Sequence, residues 1–111
     1  MLKKNILRNQ RDFVTVYNKG KSQGSKYVVV LYRRNRLGEN RVAFIASKKV
    51  GNSVRRNRAR RLMKEAFRAL EPSIAQGYDI ILVARNGIDA TKEQDVERSL
   101  RHAFSRATLL N

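Results

Sequence analysis

Apolar residues recur along this chain with two periods, near 3.6 in some stretches and runs or alternation in others, and the changes of period divide it into helices and strands. Asn9 can cap a short helix to about Asn18, with Phe13, Val14, Val16 and Tyr17 as its apolar or aromatic positions and Gly20 just past its end. Tyr27 to Tyr32 (YVVVLY) and Val42 to Ala46 (VAFIA) are β-branched and aromatic runs. The RRNRLGEN between them has the Gly and Asn of a turn, so the two are expected to pair as a hairpin. The first run is open to division into two strands, or to extension at Lys21 to Lys26. After Gly51, either Asn52 or Ser53 can cap a helix whose stripe is Ala59, Leu62, Met63, Ala66, Phe67 and Leu70. Pro72 stops it. Tyr78 to Ala84 (YDIILVA) holds an unbroken apolar run that suits a central strand covered on both faces. Arg85-Asn86-Gly87 turns the chain. Thr91 with Gln94 has the spacing of a capping box before a last helix lined by Val96, Leu100, Ala103, Phe104 and Ala107.

These elements predict an α+β fold, a two-layer sandwich with helices packed on a mostly antiparallel sheet. Length, 111 residues, and 41% apolar content suit one domain spanning residues 1–111, and no internal repeat or low-complexity linker interrupts it. Tyr27, Phe44, Phe67 and Phe104 are assigned to the core.

Charge changes the picture most. A formal net charge of +16 implies strong self-repulsion unless a polyanion accompanies the folded chain. Nucleic acid is the leading candidate and an anionic membrane surface its rival, but the apolar stripe that a membrane helix would need to expose is required to cover the sheet. The opening MLKKNILRNQRDF lacks the apolar core and cleavage site of a signal peptide, and no run is long enough to span a bilayer, so a cytoplasmic location is expected. Cysteine is absent, which excludes disulfides and thiolate metal sites.

Lys48 to Arg61 (KKVGNSVRRNRARR) concentrates the charge: seven basic residues in fourteen and no acid. At about 100° per residue, Arg56, Arg60 and Lys64 follow one another down a helical face, with Asn57, Arg61 and Arg68 beside them and the apolar stripe opposite. Only Glu65 interrupts, within one turn of Arg61 and Arg68, an exposed pairing worth roughly 0.3 to 0.5 kcal/mol. Most guanidinium groups are therefore expected to remain free for phosphates, beside the unpaired N–H donors of the helix N-terminus. A DNA-reading recognition helix is a rival, but a strand rather than a partner helix precedes this one.

The run Lys48-Lys49-Val50-Gly51-Asn52-Ser53-Val54-Arg55-Arg56-Asn57-Arg58-Ala59-Arg60-Arg61-Leu62 resembles the signature of the bacterial ribonuclease P protein family, an Arg-Asn-Arg core inside a basic helix after a Lys-Lys-Val/Ile-Gly-Asn turn. Arg11-Asp12-Phe13 through Tyr17, Tyr27 to Tyr32 and Tyr78 to Ala84 are similar to that family's first helix, first long strand and last strand. The resemblance implies a fold like the second domain of ribosomal protein S5, in the order helix, three strands, helix, strand, helix, with a left-handed βαβ crossover. The general preference for parallel strands joined through a helix is the right-handed form. It further implies a protein subunit assisting a catalytic RNA that removes the 5′ leader of precursor tRNA. Lys48, Lys49, Asn52, Arg55, Arg56, Asn57, Arg58, Arg60, Arg61, Lys64 and Arg68 would then bind the RNA subunit through phosphates and 2′-hydroxyls. Phe13 and Tyr17, one helical turn apart, would wall a cleft floored by the sheet carrying Tyr32, where leader bases stack. Core packing is the alternative for these three.

Catalytic groups are not evident. His102 falls in the basic late part of the last helix, and Glu93, Asp95 and Glu97 are explained by its dipole. No catalytic residue, metal ligand or bound cofactor is expected, and magnesium is assigned to RNA and substrate phosphates. The partners expected are the catalytic RNA and precursor tRNA, with neither membrane nor DNA. A structural ribosomal or RNA-chaperone protein is the alternative function, and an RNA hydrolase acting alone a third.

Overall fold

The computed structural model describes residues 6–111, so the first five residues of the stretch read for a signal peptide lie outside it. Helix α1 (Gln10–Lys19) is followed by β1 (Lys21–Gly24), β2 (Val28–Arg34), β3 (Arg41–Ile45), α2 (Ser53–Leu70), β4 (Tyr78–Ala84) and α3 (Glu93–Arg106). This is the order that the family resemblance implies, with the extension at Lys21 forming a strand of its own.

The expected hairpin does not form. The sheet order is β1-β2-β4-β3, so β4 lies between β2 and β3, antiparallel to the first and parallel to the second. The hairpin of this sheet is instead β1 with β2, paired from Lys21 opposite Tyr32 to Gly24 opposite Val29. The reason is burial. Ile80, Ile81 and Leu82 are wholly buried, and only a central position covers both faces of such a strand.

Residues alternate faces along each strand, so the sheet has two different sides. Val28, Val30, Ile80 and Leu82 pack under α2 and α3, against Leu62, Met63, Ala66, Phe67, Leu100 and Phe104. Phe67 anchors this layer, its ring centroid 5.9 Å from Phe44 and 6.2 Å from Phe104. Phe67 and Phe104 are buried as expected, while Tyr27 and Phe44 pack half-buried at the margin. On the other side Ala43 and Ile81 meet Val16 of α1 and Leu7, and α1 is too short to cover the rest.

Polar contacts fix how α1 sits. Asn9 caps the helix, its Oδ1 accepting from Arg11 N at 2.9 Å. At the other end a Cβ on Gly20 would lie 2.4 Å from Val16 O and 2.8 Å from Tyr32 O, so only glycine lets α1 turn so tightly onto β2. Arg41 of β3 donates from Nε and Nη2 to the buried Asp79 carboxylate of β4, at 2.8 and 2.7 Å, and also reaches Asp12 of α1 at 3.2 Å. Asn35 Nδ2 donates to the same Asp79 at 2.9 Å. The Asp79 hydrogen bond, ahead of the nearby negative charge, holds the Arg41 pKa above its ordinary value.

The other helix ends depart from expectation in one case. Asn52, not Ser53, caps α2, its Oδ1 accepting from Arg55 N at 3.0 Å. No capping box forms at Thr91 and Gln94. Lys92 occupies the cap position without a side-chain bond, and Thr91 Oγ1 instead donates to Asp95 at 3.2 Å. Among the described residues no helix is long and apolar enough to cross a membrane.

Replacing Arg41 by Met leaves Asp79 buried without its counter-charge. Loss of one partner from a buried pair costs about 3–5 kcal/mol, and with Arg41 partly open to solvent a loss of about 3 kcal/mol is expected from urea unfolding. Glu93 supplies a pH signature. Desolvation first, then repulsion from Glu97 and Glu65, raises its carboxyl pKa. The folded state thus holds this proton more tightly than the unfolded chain, and the stability so gained is lost as pH rises through the raised value. Glu93→Gln should raise the melting temperature relative to the parent at about pH 7 and lose that advantage at about pH 4.

Candidate nucleic-acid interface

The basic run folds as a turn and a helix whose two faces the core keeps apart. Val50 is buried and its N–H donates to Ser47 O at 3.0 Å, closing a turn that leaves Lys48 and Lys49 exposed. Gly51 then adopts φ 145°, where a side chain would be strained, and the Arg55 stem packs over it. From Ser53 onward, Ala59, Leu62, Met63, Ala66 and Phe67 are buried, and the opposite face carries Arg56, Arg61, Lys64 and Arg68.

The expectation that most guanidinium groups stay free holds for part of the set. Arg55 and Arg58 face the Ile88–Ala90 turn. Arg55 Nε pairs with Asp89 Oδ2 at 2.6 Å, and Arg58 Nε donates to Asp89 O at 2.7 Å. The Arg55 hydrogen bond holds Asp89 below the ordinary carboxylate range, and Asp89 in turn raises the Arg55 pKa. Arg60 Nη2 donates to Asn57 Oδ1 at 2.7 Å, so Asn57 orients an arginine, while Asn52 spends its carboxamide oxygen on the cap. Glu65 meets neither Arg61 nor Arg68 in an ion pair among the described residues. Lys48, Lys49, Arg61, Lys64 and Arg68 are exposed, have no ion pair or side-chain hydrogen bond among the described residues, and form the open cationic surface, whereas Arg56 is half-buried with its Nε enclosed.

A second surface lies on the half-covered side of the sheet. Phe13 and Tyr17 stand together on α1, ring centroids 5.3 Å apart, with Phe13 half-buried and Tyr17 48% exposed. Beside them Leu31, Ile45 and Val83 remain partly open on the sheet. Tyr32 does not floor this cleft. It points to the opposite side, packed against the α2/α3 core with its ring 6.3 Å from Tyr78. The residue facing α1 is its neighbour Leu31, as strand alternation requires.

Sequence reasoning also missed two arginines at the ends of this face. Arg33 pairs in register with Asp79 and lines a cavity of about 570 Å³ with Asp12 and Thr15 of α1. Arg85 lies beside Gly24, on the side of the sheet that Val83 faces. Alternation from Ile81 along β4 leads to Arg85, and from Leu31 along β2 to Arg33. A groove of about 370 Å³, bordered by Phe13, Phe44, Ile45, Arg60 and Lys64, joins the cleft to the outer face of α2.

A cationic helix kept clear of its own core, next to a half-covered sheet with open aromatics, defines a small α+β RNA-binding protein. A family model described as Ribonuclease P matches residues 1–108. The ribonuclease P protein component of Alkaliphilus metalliredigens is 38% identical over 111 residues, covering 100% of both chains. That of Thermoanaerobacter sp. is 42% identical over 103 residues, 93% of this chain and 89% of its own. The solved RNase P protein of Staphylococcus aureus superposes with a TM-score of 0.85 at 30% identity, covering 96% of this chain and 98% of that one. The Thermotoga maritima protein gives 0.81 at 30%, covering 91% and 96%. The chain belongs to the ribonuclease P protein family, as a subunit of that ribonucleoprotein endoribonuclease and a partner of its RNA.

The two classes of arginine should separate by salt. Replacing Arg61, Lys64 and Arg68 by Ala should lower the slope of log affinity against log salt for the RNA by roughly 0.7 to 0.9 per contact. Arg55→Ala and Arg58→Ala should leave that slope nearly unchanged and lower the melting temperature, because they release the Ile88–Ala90 turn.

Proposed function

We propose that the chain binds the catalytic RNA through the outer face of α2 and the single-stranded 5′ leader of precursor tRNA through the α1 cleft, assisting removal of the leader. The observation that carries this reading is the groove joining the two surfaces, which lets one continuous RNA assembly engage both. Folded RNA is recognised by shape and phosphates, which the turn and α2 can meet with Lys48, Lys49, Arg56, Arg60, Arg61, Lys64 and Arg68. Single strands need stacking surfaces beside positive charge. Phe13, Tyr17 and Leu31 offer the first, and Arg33 and Arg85 the second. Asn52, Arg55, Asn57 and Arg58 serve the same surface indirectly, by capping the helix, orienting Arg60 and tethering the neighbouring turn.

In this reading catalysis and magnesium belong to the RNA and substrate phosphates. The protein acts as one domain in the cytoplasm, lowering repulsion between two RNAs, with neither DNA nor membrane as partner. Reconstitution with a ribonuclease P RNA and precursor tRNA tests it. Cleavage of leader-bearing substrate at low magnesium should rise on adding the chain; binding without any gain would instead indicate an RNA chaperone. Phe13→Ala or Tyr17→Ala should reduce the preference for precursor over mature tRNA by about tenfold, since a stacked base contributes about 1–3 kcal/mol. Equal weakening for both ligands would overturn the cleft assignment.

A further inference from the structure

Few contacts hold α1 to the sheet, and one of them is an ion pair. Val16 is the only fully buried residue of the helix, seated against Leu7, Ala43 and Ile81. A helix pinned at one apolar point can still roll about its own axis. Asp12, the one acid of α1, stands one turn before Val16 on the same side and reaches Arg41 Nη2 at 3.2 Å. That guanidinium is itself fixed. Its Nε and Nη2 both donate to Asp79, which lies beside Arg41 in the parallel register and is only 10% exposed. Arg33, Arg34 and Arg36 line the same depression, yet Asp12 pairs with none of them among the described residues. Asp12 thus docks on the anchored arginine of the group, the one that does not follow a moving partner.

Helix geometry links this contact to the aromatic pair. Phe13 follows Asp12 and Tyr17 follows Val16, each about 100° further round the axis. The two residues that face the sheet and the two rings, 5.3 Å apart, therefore turn as one body. Side-chain tips ride about 5 to 6 Å from the axis, so a roll of about 20° carries them about 2 Å. A gap of about 1 Å already forfeits up to about half of a carbon–carbon contact, and a stacked base would lose its partner. We propose that Asp12 is a positioning residue for leader recognition: by docking on Arg41 it sets the roll of α1, and so the place of Phe13 and Tyr17 over the sheet. The inference rests on assigning the α1 cleft to the leader. Asp12 also lies in the first turn, where a carboxylate answers the positive end of the helix dipole. The dipole acts on any acid in that turn, whereas the bridge to Arg41 needs this position.

Binding and cleavage by the full chain assembled with a ribonuclease P RNA test the role. Asp12→Asn should lower the preference for precursor over mature tRNA by about threefold to fivefold, part of the roughly tenfold expected for loss of a ring. KM for leader-bearing substrate should rise with kcat unchanged. Affinity for the RNA subunit should hold, and the melting temperature should fall by no more than about 4 °C, because the pair is partly open to solvent. Removing an acid from a chain of net charge +16 would by charge alone tighten binding of any RNA, so tighter binding of both tRNAs would overturn the proposal. Adding Gln10→Asp to Asp12→Asn returns a carboxylate to the first turn about 200° round the helix. The preference should stay low in that double variant; its recovery would reduce Asp12 to a dipole partner and refute the positioning role. Methyl signals of Ile45, which borders the groove with Phe13, report ring placement by nuclear magnetic resonance without RNA. They should shift in Asp12→Asn, and their constancy would overturn the proposal even where leader preference changes. Phe13→Ala separates the two claims: an intact preference there would refute the leader reading, and with it the role in recognition, while the Ile45 shift would still establish that Asp12 sets the roll of α1.

Discussion

The burial of β4 on both faces is the constraint from which the rest of the molecule follows. Ile80, Ile81 and Leu82 admit no solvent on either side, so the strand must lie inside the sheet, and each side of the sheet must then be covered. The two coverings are unequal. Helices of 18 and 14 residues close one side, whereas the other receives one helix of 10. A ten-residue helix is only about 15 Å long, less than the width of four strands. The incompletely covered side is the cleft, and Leu31, Ile45 and Val83 stay partly open because nothing long enough lies over them.

The same economy governs the charges. With nine acids against twenty-five lysines and arginines, most cations lack a partner, and where the acids sit decides which cations become structural. Asp12 and Asp79 draw Arg41 into the joint between α1 and the sheet, and Asp89 ties Arg55 and Arg58 to the turn before α3. Arg61, Lys64 and Arg68, on the side of α2 turned from the core, make no ion pair among the described residues, Glu65 included. Positive potential is thereby focused on the helix beside the groove that leads to the cleft, and a polyanion approaching either surface feels the field of both.

Much of this was legible along the chain wherever the deciding interaction is local. The apolar stripe of α2, the cap at Asn9, the central place of the YDIILVA strand and the separation of core from basic face all depend on residues within a few turns of one another. The signature around Arg56-Asn57-Arg58 is by itself enough to indicate the family. The errors arose where the partner is distant in sequence. Adjacent strands suggested a hairpin that β4, on the far side of α2 in the chain, pre-empts. That Arg58, read as a phosphate ligand, also donates to Asp89 O was likewise not visible along the chain.

Sequence by itself determined the element types, the strongly cationic character and the apolar stripes of the helices, because periodicity and net charge survive any arrangement of the elements. Tertiary structure alone decided which strands pair, which arginines remain open and which side of the sheet each aromatic faces. Tyr32 shows the difference most plainly. Its neighbour Leu31 faces α1 and it faces α3, a distinction of one residue that becomes a choice between two surfaces only once the sheet has a helix on each side.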